Sequence, residues 1–218
     1  MQAVEKTERL VDPSAMNTMQ VSPEDSLRAQ IYRLLAGFLS QSPTQDNLKI
    51  AAGLVGGEGE FGAAIDTFAK IAGQVEPEAA ETEFHDLFIG VTRGELLPYG
   101  SYYQTGFLNE KPLANLRADM ASKGIERVEG LKEPEDHISS VLEMMAGLIE
   151  GAYGASGTAP GSLVEQKQFF EKHVQSWATH FFKDLEEAKH SVLFAPLGTI
   201  GRLFMEIEQT GFGMVSET

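Results

Sequence analysis

The stretch SPEDSLRAQIYRLLAGFLS, residues 22–40, decides the fold class. Ser22 is a helix cap, Pro23 takes the first helical position, where a missing N–H is no loss, and Asp25 follows three residues after the cap. Leu27, Ile31, Leu34, Leu35, Phe38 and Leu39 then recur at helical spacing. The spacing predicts one amphipathic helix over about Pro23–Ser40. Ahead of it, residues 1–21 are polar and aperiodic and read as a disordered N-terminal tail.

The same periodicity continues down the chain. Leu48, Ala51, Leu54 and Val55 predict a short second helix, ended by a glycine cluster from Gly53 to Gly62. Phe61, Ile65, Phe68, Ala69 and Ala72 predict a third. Pro77 opens a fourth with Ala80, Phe84, Leu87 and Phe88 on one face, closing at Gly90. Residues 89–112, rich in glycine, proline and aromatics, read as a long ordered connection of the kind that carries function. Leu113, Leu116 and Met120 give a short helix stopped by Gly124, and Ile125–Glu133 a second loop. Pro134 opens a strong helix with Ile138, Val141, Leu142, Met145, Leu148 and Ile149 on its apolar face. Residues 151–161, GAYGASGTAPG, read as a flexible linker and a plausible hinge for a domain-swapped dimer beside the monomer. Leu163 to Ala188 is helical again, and Pro196 starts a last helix through Ile207. Val192 and Phe194 are the only hint of extended chain. The expectation is an all-α, single-domain helical bundle of about eight to nine helices over residues 22–218.

Composition narrows the function. Lys and Arg number 17 against 32 Asp and Glu, a net charge of −15, which repels phosphate backbones and favours a cationic peptide or protein partner over nucleic acid. There is no cysteine, so disulfides, thiolate metal sites and thiol nucleophiles are excluded. No apolar run approaches the ~20 residues of a membrane helix and no signal peptide is visible, so direct membrane insertion is not expected and a cytoplasmic location is.

Chemical motifs are few. Gly57-Glu58-Gly59-Glu60-Phe61-Gly62 matches the dinucleotide pattern literally, but a predicted helix precedes it and its two glutamates repel a pyrophosphate. Only Glu187-Ala188-Lys189-His190 has Glu-x-x-His spacing, so a di-iron pair lacks its second half. His173 and His180, seven apart, would share one face of a continuous helix and read as edge-of-core residues beside Trp177 and Phe181. Two segments remain: Phe84 to Gly90 with Pro98-Tyr99-Gly100-Ser101-Tyr102-Tyr103, and Glu133-Pro134-Glu135-Asp136-His137. The plain account of the second is a helix start whose acids complement the positive helix end. Asp136-His137 also reads as an acid–imidazole pair, though nothing nearby in sequence offers a nucleophile.

These segments resemble the signatures of the TorD/DmsD/NarJ family of redox-enzyme maturation chaperones. The family pattern of Leu-Phe-x-Gly, a Pro-x-(Glu/Gly)-Ser-x-aromatic turn and Glu-Pro-x-Asp-His stands here as Leu87-Phe88-Ile89-Gly90, Pro98-Tyr99-Gly100-Ser101-Tyr102-Tyr103 and Glu133-Pro134-Glu135-Asp136-His137. Gly100 is similar to the DmsD-type variant of the turn. The resemblance spans about Leu27 to Glu208. It implies an all-helical chaperone without catalytic activity or resident cofactor. It also implies that the chain binds the twin-arginine leader and body of a molybdenum-cofactor oxidoreductase's catalytic subunit and holds it back from export until its cofactor is inserted.

The implied leader-binding residues are Leu87, Phe88, Gly90, Pro98, Tyr99, Gly100, Ser101, Tyr103, Glu133, Pro134, Glu135, Asp136 and His137. On that reading Glu133, Glu135 and Asp136 accept from the leader's guanidinium groups, and Leu87, Phe88, Tyr99 and Tyr103 line an apolar groove. His137 either orients Asp136 or hydrogen-bonds the leader backbone. Burying ~300 Å² of apolar leader yields roughly 7 kcal/mol gross, and ordering the leader offsets several of these, which predicts micromolar or somewhat tighter binding. Both segments must then share one cleft. The alternative is a small helical metal- or nucleotide-binding protein using Asp136 and His137.

Overall fold

The structure is a computed structural model and describes residues 21–127, 130, 133–153 and 160–215. The tail read over residues 1–21, save Val21, and residues 154–159 of the 151–161 linker lie outside the described residues. Among the described residues there are ten α-helices and no strand. They are α1 Pro23–Ser40, α2 Gln45–Ala52, α3 Gly59–Ala72, α4 Pro77–Phe84, α5 Gly100–Thr105, α6 Lys111–Lys123, α7 Ile138–Glu150, α8 Leu163–His173, α9 Ala178–Glu187 and α10 Phe194–Gly213.

Helix α1 forms as its sequence dictates: Ser22 Oγ accepts from the Asp25 N–H at 3.0 Å and Pro23 takes the first turn. Its buried residues are Ala29, Tyr32, Leu35, Ala36, Phe38 and Leu39, and it packs on α7. Helix α7 is buried on nearly every side, from Ile138 through Ile149, and is the central element. Helix α10 packs against α9 and α3, and α2 against α3. One continuous core links them, with Tyr32, Phe68, Phe170, Trp177 and Phe181 fully buried, each side chain worth ~1.5–3 kcal/mol. Helix α10 has no capping side chain of its own; the buried Glu83 of α4 supplies one, accepting from the N–H groups of Val192, Leu193 and Phe194 at 2.7–3.1 Å.

Several expectations are corrected. Helix α4 does not run uniformly to Gly90; residues His85–Ile89 form a π-helical turn closed by Gly90, whose φ of 61° ends it. The 89–112 connection contains a helix, α5, because its cap comes from a distant segment. Pro134 does not open α7: Pro134 O accepts from the His137 N–H at 3.0 Å in a turn, and the helix begins four residues later with His137 as its cap. The helical region over 163–188 breaks between His173 and Ala178, so His173 is buried at the end of α8 while His180 is exposed on α9, and they do not share a face. Helix α10 starts at Phe194, not Pro196, and neither Val192 nor Phe194 is extended strand; Pro196 fits the first turn, whose N–H groups have no helical partner. Leu27 and Val55, read on buried helical faces, are 59% and 86% exposed. As read from the sequence, a helix and not a strand precedes the glycine-rich 57–62 stretch, whose last four residues, Gly59–Gly62, form the first turn of α3.

Candidate functional site

The two singled-out segments meet. Tyr99 and His137 form an isolated antiparallel bridge. Around it, the Gly100 N–H donates to Asp136 O at 2.9 Å and the Ile138 N–H to Pro98 O at 2.8 Å. Asp136, only 3% exposed, accepts the Ser101 N–H on Oδ2 at 2.7 Å. Helix α5 has no cap on its own strand of sequence, so Asp136 acts as its cap from 35 residues away. Pro98, Gly100 and Ser101 are buried in this clasp. Gly100 packs closely there: a Cβ would lie 3.1–3.3 Å from the Trp177 ring, which would have to give by a few tenths of an ångström. Trp177 is fixed in turn by its indole N–H on His173 O at 2.7 Å, and His173 Nε2 lies 2.6 Å from Asp119 Oδ2. Asp136, Gly100, His173 and Trp177 line a void of about 10 Å³, the room of one water, and Asp136 Oδ1 has no hydrogen-bond partner.

The acids at the edge are already engaged. Glu133 accepts from the Tyr99 hydroxyl. Burial, then the Glu133 carboxylate, pushes the Tyr99 phenol up from its ordinary value. Glu135 accepts from Arg117 Nε and Nη2 at 2.9 and 2.7 Å, and Arg127 Nη1 lies 3.7 Å from its other oxygen. Burial raises the Glu135 carboxyl, but the Arg117 hydrogen bond and the two guanidinium charges outweigh it and hold the group below its usual range. Neither Arg117 nor Arg127 was singled out from sequence, since each reaches the site from another segment.

His137 is turned away from Asp136. Its Nδ1 accepts from the Ser139 N–H at 3.3 Å and lies 2.7 Å from Ser139 Oγ, while its ring meets Tyr99 edge to face at 5.2 Å. Burial lowers its pKa to about 4, so the ring is neutral near pH 7. The acid–imidazole pair is therefore not formed through a side-chain hydrogen bond. Among the described residues no group of three His, Asp or Glu side chains converges on a metal position.

The apolar members divide between frame and surface. Leu87 is fully buried, and Phe88 packs against Phe84 and Phe194 with ring centres 5.0 and 5.6 Å apart. Leu87 O accepts from the Leu96 N–H at 2.8 Å, and so the Leu87–Gly90 turn anchors the following loop instead of lining an open groove. Tyr103 packs on Trp177 and Phe181 and donates to Asp184 at 2.9 Å. The exposed apolar side chains of this region are Ile89, Val91, Phe107 and Leu108, with Tyr102 under the Arg93 guanidinium at 6.0 Å.

This geometry has relatives. The family model described as "Nitrate reductase delta subunit" matches residues 57–183, which include both segments of the clasp. The chain is 32% identical over 171 residues to the chaperone protein TorD of Vibrio atlanticus (strain LGP32), covering 71% of this chain and 80% of that one. It is 35% identical over 102 residues to the chaperone protein TorD of Vibrio cholerae (strain O395), covering 45% and 46%. In fold it is similar to a crystal structure from Archaeoglobus fulgidus described as a redox enzyme maturation protein, with a TM-score of 0.55 and 24% identity over 83% of this chain and 94% of that one. With more than half of its length inside the family model and a TorD relative aligned over most of both chains, this chain belongs to the TorD/DmsD/NarJ family, whose members are chaperones of redox-enzyme maturation rather than enzymes.

Proposed function

We propose that this chaperone binds the twin-arginine leader and body of the catalytic subunit of a molybdenum-cofactor oxidoreductase and keeps it in the cytoplasm until its cofactor is inserted. The observation that carries this reading is Glu135, a nearly buried carboxylate that already holds two guanidinium groups at the edge of the clasp. A leader's paired arginines offer the same chemistry, and Arg117, whose side chain is 52% exposed, exchanges for one of them. Exposed ion pairs contribute only ~0–1 kcal/mol, so the charges set register and apolar contact supplies affinity. Of the site residues read from sequence, Asp136, Gly100, Ser101, Pro98, Leu87 and Phe88 hold the frame. Glu133 and Glu135 face the leader, and the exposed Phe107 and Leu108, which follow α5, offer it apolar contact.

Calorimetric titration of an Arg-Arg leader peptide against its Lys-Lys counterpart tests this. The Arg-Arg peptide should bind at micromolar affinity or tighter and the Lys-Lys peptide more weakly, because an ammonium lacks the bidentate fork. Indistinguishable isotherms, or none, remove the proposal.

A further inference from the structure

The void lined by Gly100 and Asp136 in the clasp, about 10 Å³, is far too small for a leader's apolar stretch, but the molecule has larger apolar cavities elsewhere. Two cavities of about 510 and 630 Å³ run along α1, one shared with α10 and the other with α2 and α3. They have Leu27, Ile31 and Phe61 in common and so form one groove. Its walls are apolar, and Leu27, Ile50, Val55 and Ile207 in them are 53–86% exposed. The groove follows α1 from Glu24 to Phe38, about 21 Å at 1.5 Å per residue, the length of a helix of about 14 residues. That is the size of the apolar region of an export leader, roughly 7–15 residues.

Charge points to the same occupant. Each arginine on the groove is outnumbered by carboxylates: Arg28 is held by Asp25 and Glu208, and Arg33 by Glu143 and Glu150. Glu24 adds another acid at the wall. An apolar segment flanked by basic residues meets both properties of this surface.

We propose that the groove between α1, α2, α3 and α10 seats the apolar stretch of a basic export leader as a helix, apart from the clasp. The proposal rests on the leader-binding reading above, and extends it to a surface that shares no lining residue with the clasp.

The test uses the full chain and three synthetic peptides: an Arg-Arg pair followed by fourteen Leu and Ala residues, the apolar half with flanking lysines, and the Arg-Arg half alone. Leu27→Glu and Ile50→Glu alter exposed side chains, so both variants should keep the native helical signal. Each should weaken binding of the first two peptides at least tenfold and not weaken the third. A Glu adds negative charge to a chain already at −15, so a merely electrostatic association with a cationic peptide would tighten instead. Unchanged affinity for the first two peptides overturns the groove while leaving the leader reading intact; no binding of any peptide to the wild type overturns both. Loss of the variants' effect once residues 1–20 are removed would assign the groove to this chain's own N-terminal segment. A dimer dissociated by Ile50→Glu would assign it to a second copy. Either result overturns the proposal.

Discussion

At the turn joining Pro98–Ser101 to Glu133–His137, polar groups are buried and engaged with one another, whereas along α1 large apolar side chains stand open to solvent. The first surface resists change, because its buried groups, apart from Asp136 Oδ1, are paired, and losing one partner leaves the other in a low dielectric. The second tolerates change, because an exposed leucine or isoleucine loses little when it is replaced. Under the proposed function, recognising an unfolded tag uses both: a fixed edge that sets register and a compliant trough that accepts varied apolar sequence.

The sharpest way to separate the two regions is to cut side chains from each. Trp177 is fully buried against Gly100, Tyr103 and Phe181. Trp177→Ala should destabilise the domain by about 4 kcal/mol and lower Tm by roughly 10 °C, through lost burial plus the cavity left behind. Ile50→Ala in the groove, 66% exposed, should shift Tm by no more than about 2 °C. Thermal unfolding of both decides whether the contrast is real; equal shifts would erase it.

Acid should also find the clasp first. The His137 pKa falls from 6.5 to about 4 on folding because burial penalises the imidazolium. The unfolded chain therefore binds this proton between those values and the folded chain does not. Stability from this group is complete above pH 6.5 and is lost as pH drops toward 4, by about 3 kcal/mol at 1.36 kcal/mol per unit. His173, lowered by burial despite Asp119, adds a slope of the same sign. Denaturant titrations at pH 7 and pH 4.5 should show the loss, and His137→Gln should flatten part of it. An equal slope in the variant would place the titration elsewhere.

The helical architecture was legible because its signals are local. Caps, Pro at first turns and 3.6-residue spacing located α1, α3, α6 and the apolar face of α7. Helix α5 was not, since its cap is Asp136 rather than a neighbour. For the same reason Pro134 misled: a proline before a helix resembles a first turn, and only the bond from Ile138 to Pro98 O moves the start to residue 138. Within the site, the polar motif residues stood out in the sequence, but their burial did not. Asp136 and Glu135 read as solvent-facing acids and prove to be internal partners of Ser101 and Arg117. The groove was hidden differently. Leu27, Ile31 and Phe61 have the spacing of core positions, and periodicity does not distinguish a face covered by protein from one left open.

Asp136 allows the cap to be separated from any direct contact with a ligand. Asp136→Ala removes the acceptor of the Ser101 N–H and should cost about 1–2 kcal/mol, with faster hydrogen exchange at the start of α5. Asp136→Asn keeps an acceptor and turns the unpartnered Oδ1 position into an N–H₂ donor beside the water-sized void, so its cost should stay within about 0.5 kcal/mol. If Asn destabilises as much as Ala, capping is not what this residue supplies.

The smallest effect on stability should come from Arg117, and it bears most directly on recognition. The guanidinium sits on Glu135 from the solvent side, and an exposed pair of this kind is worth little, so Arg117→Ala should change stability by no more than about 0.5 kcal/mol. Under the proposed function, however, that guanidinium occupies the carboxylate a leader arginine needs. The variant should therefore bind the Arg-Arg peptide several-fold more tightly while its affinity for an apolar peptide lacking arginine stays the same. Glu135→Gln should do the reverse, weakening the Arg-Arg peptide alone, because a neutral amide no longer supplies a charged acceptor. Tighter binding in the first variant and weaker in the second would identify Glu135 as the seat that resident and incoming arginines contest. A loss of affinity in Arg117→Ala would instead make the resident ion pair part of the binding surface itself.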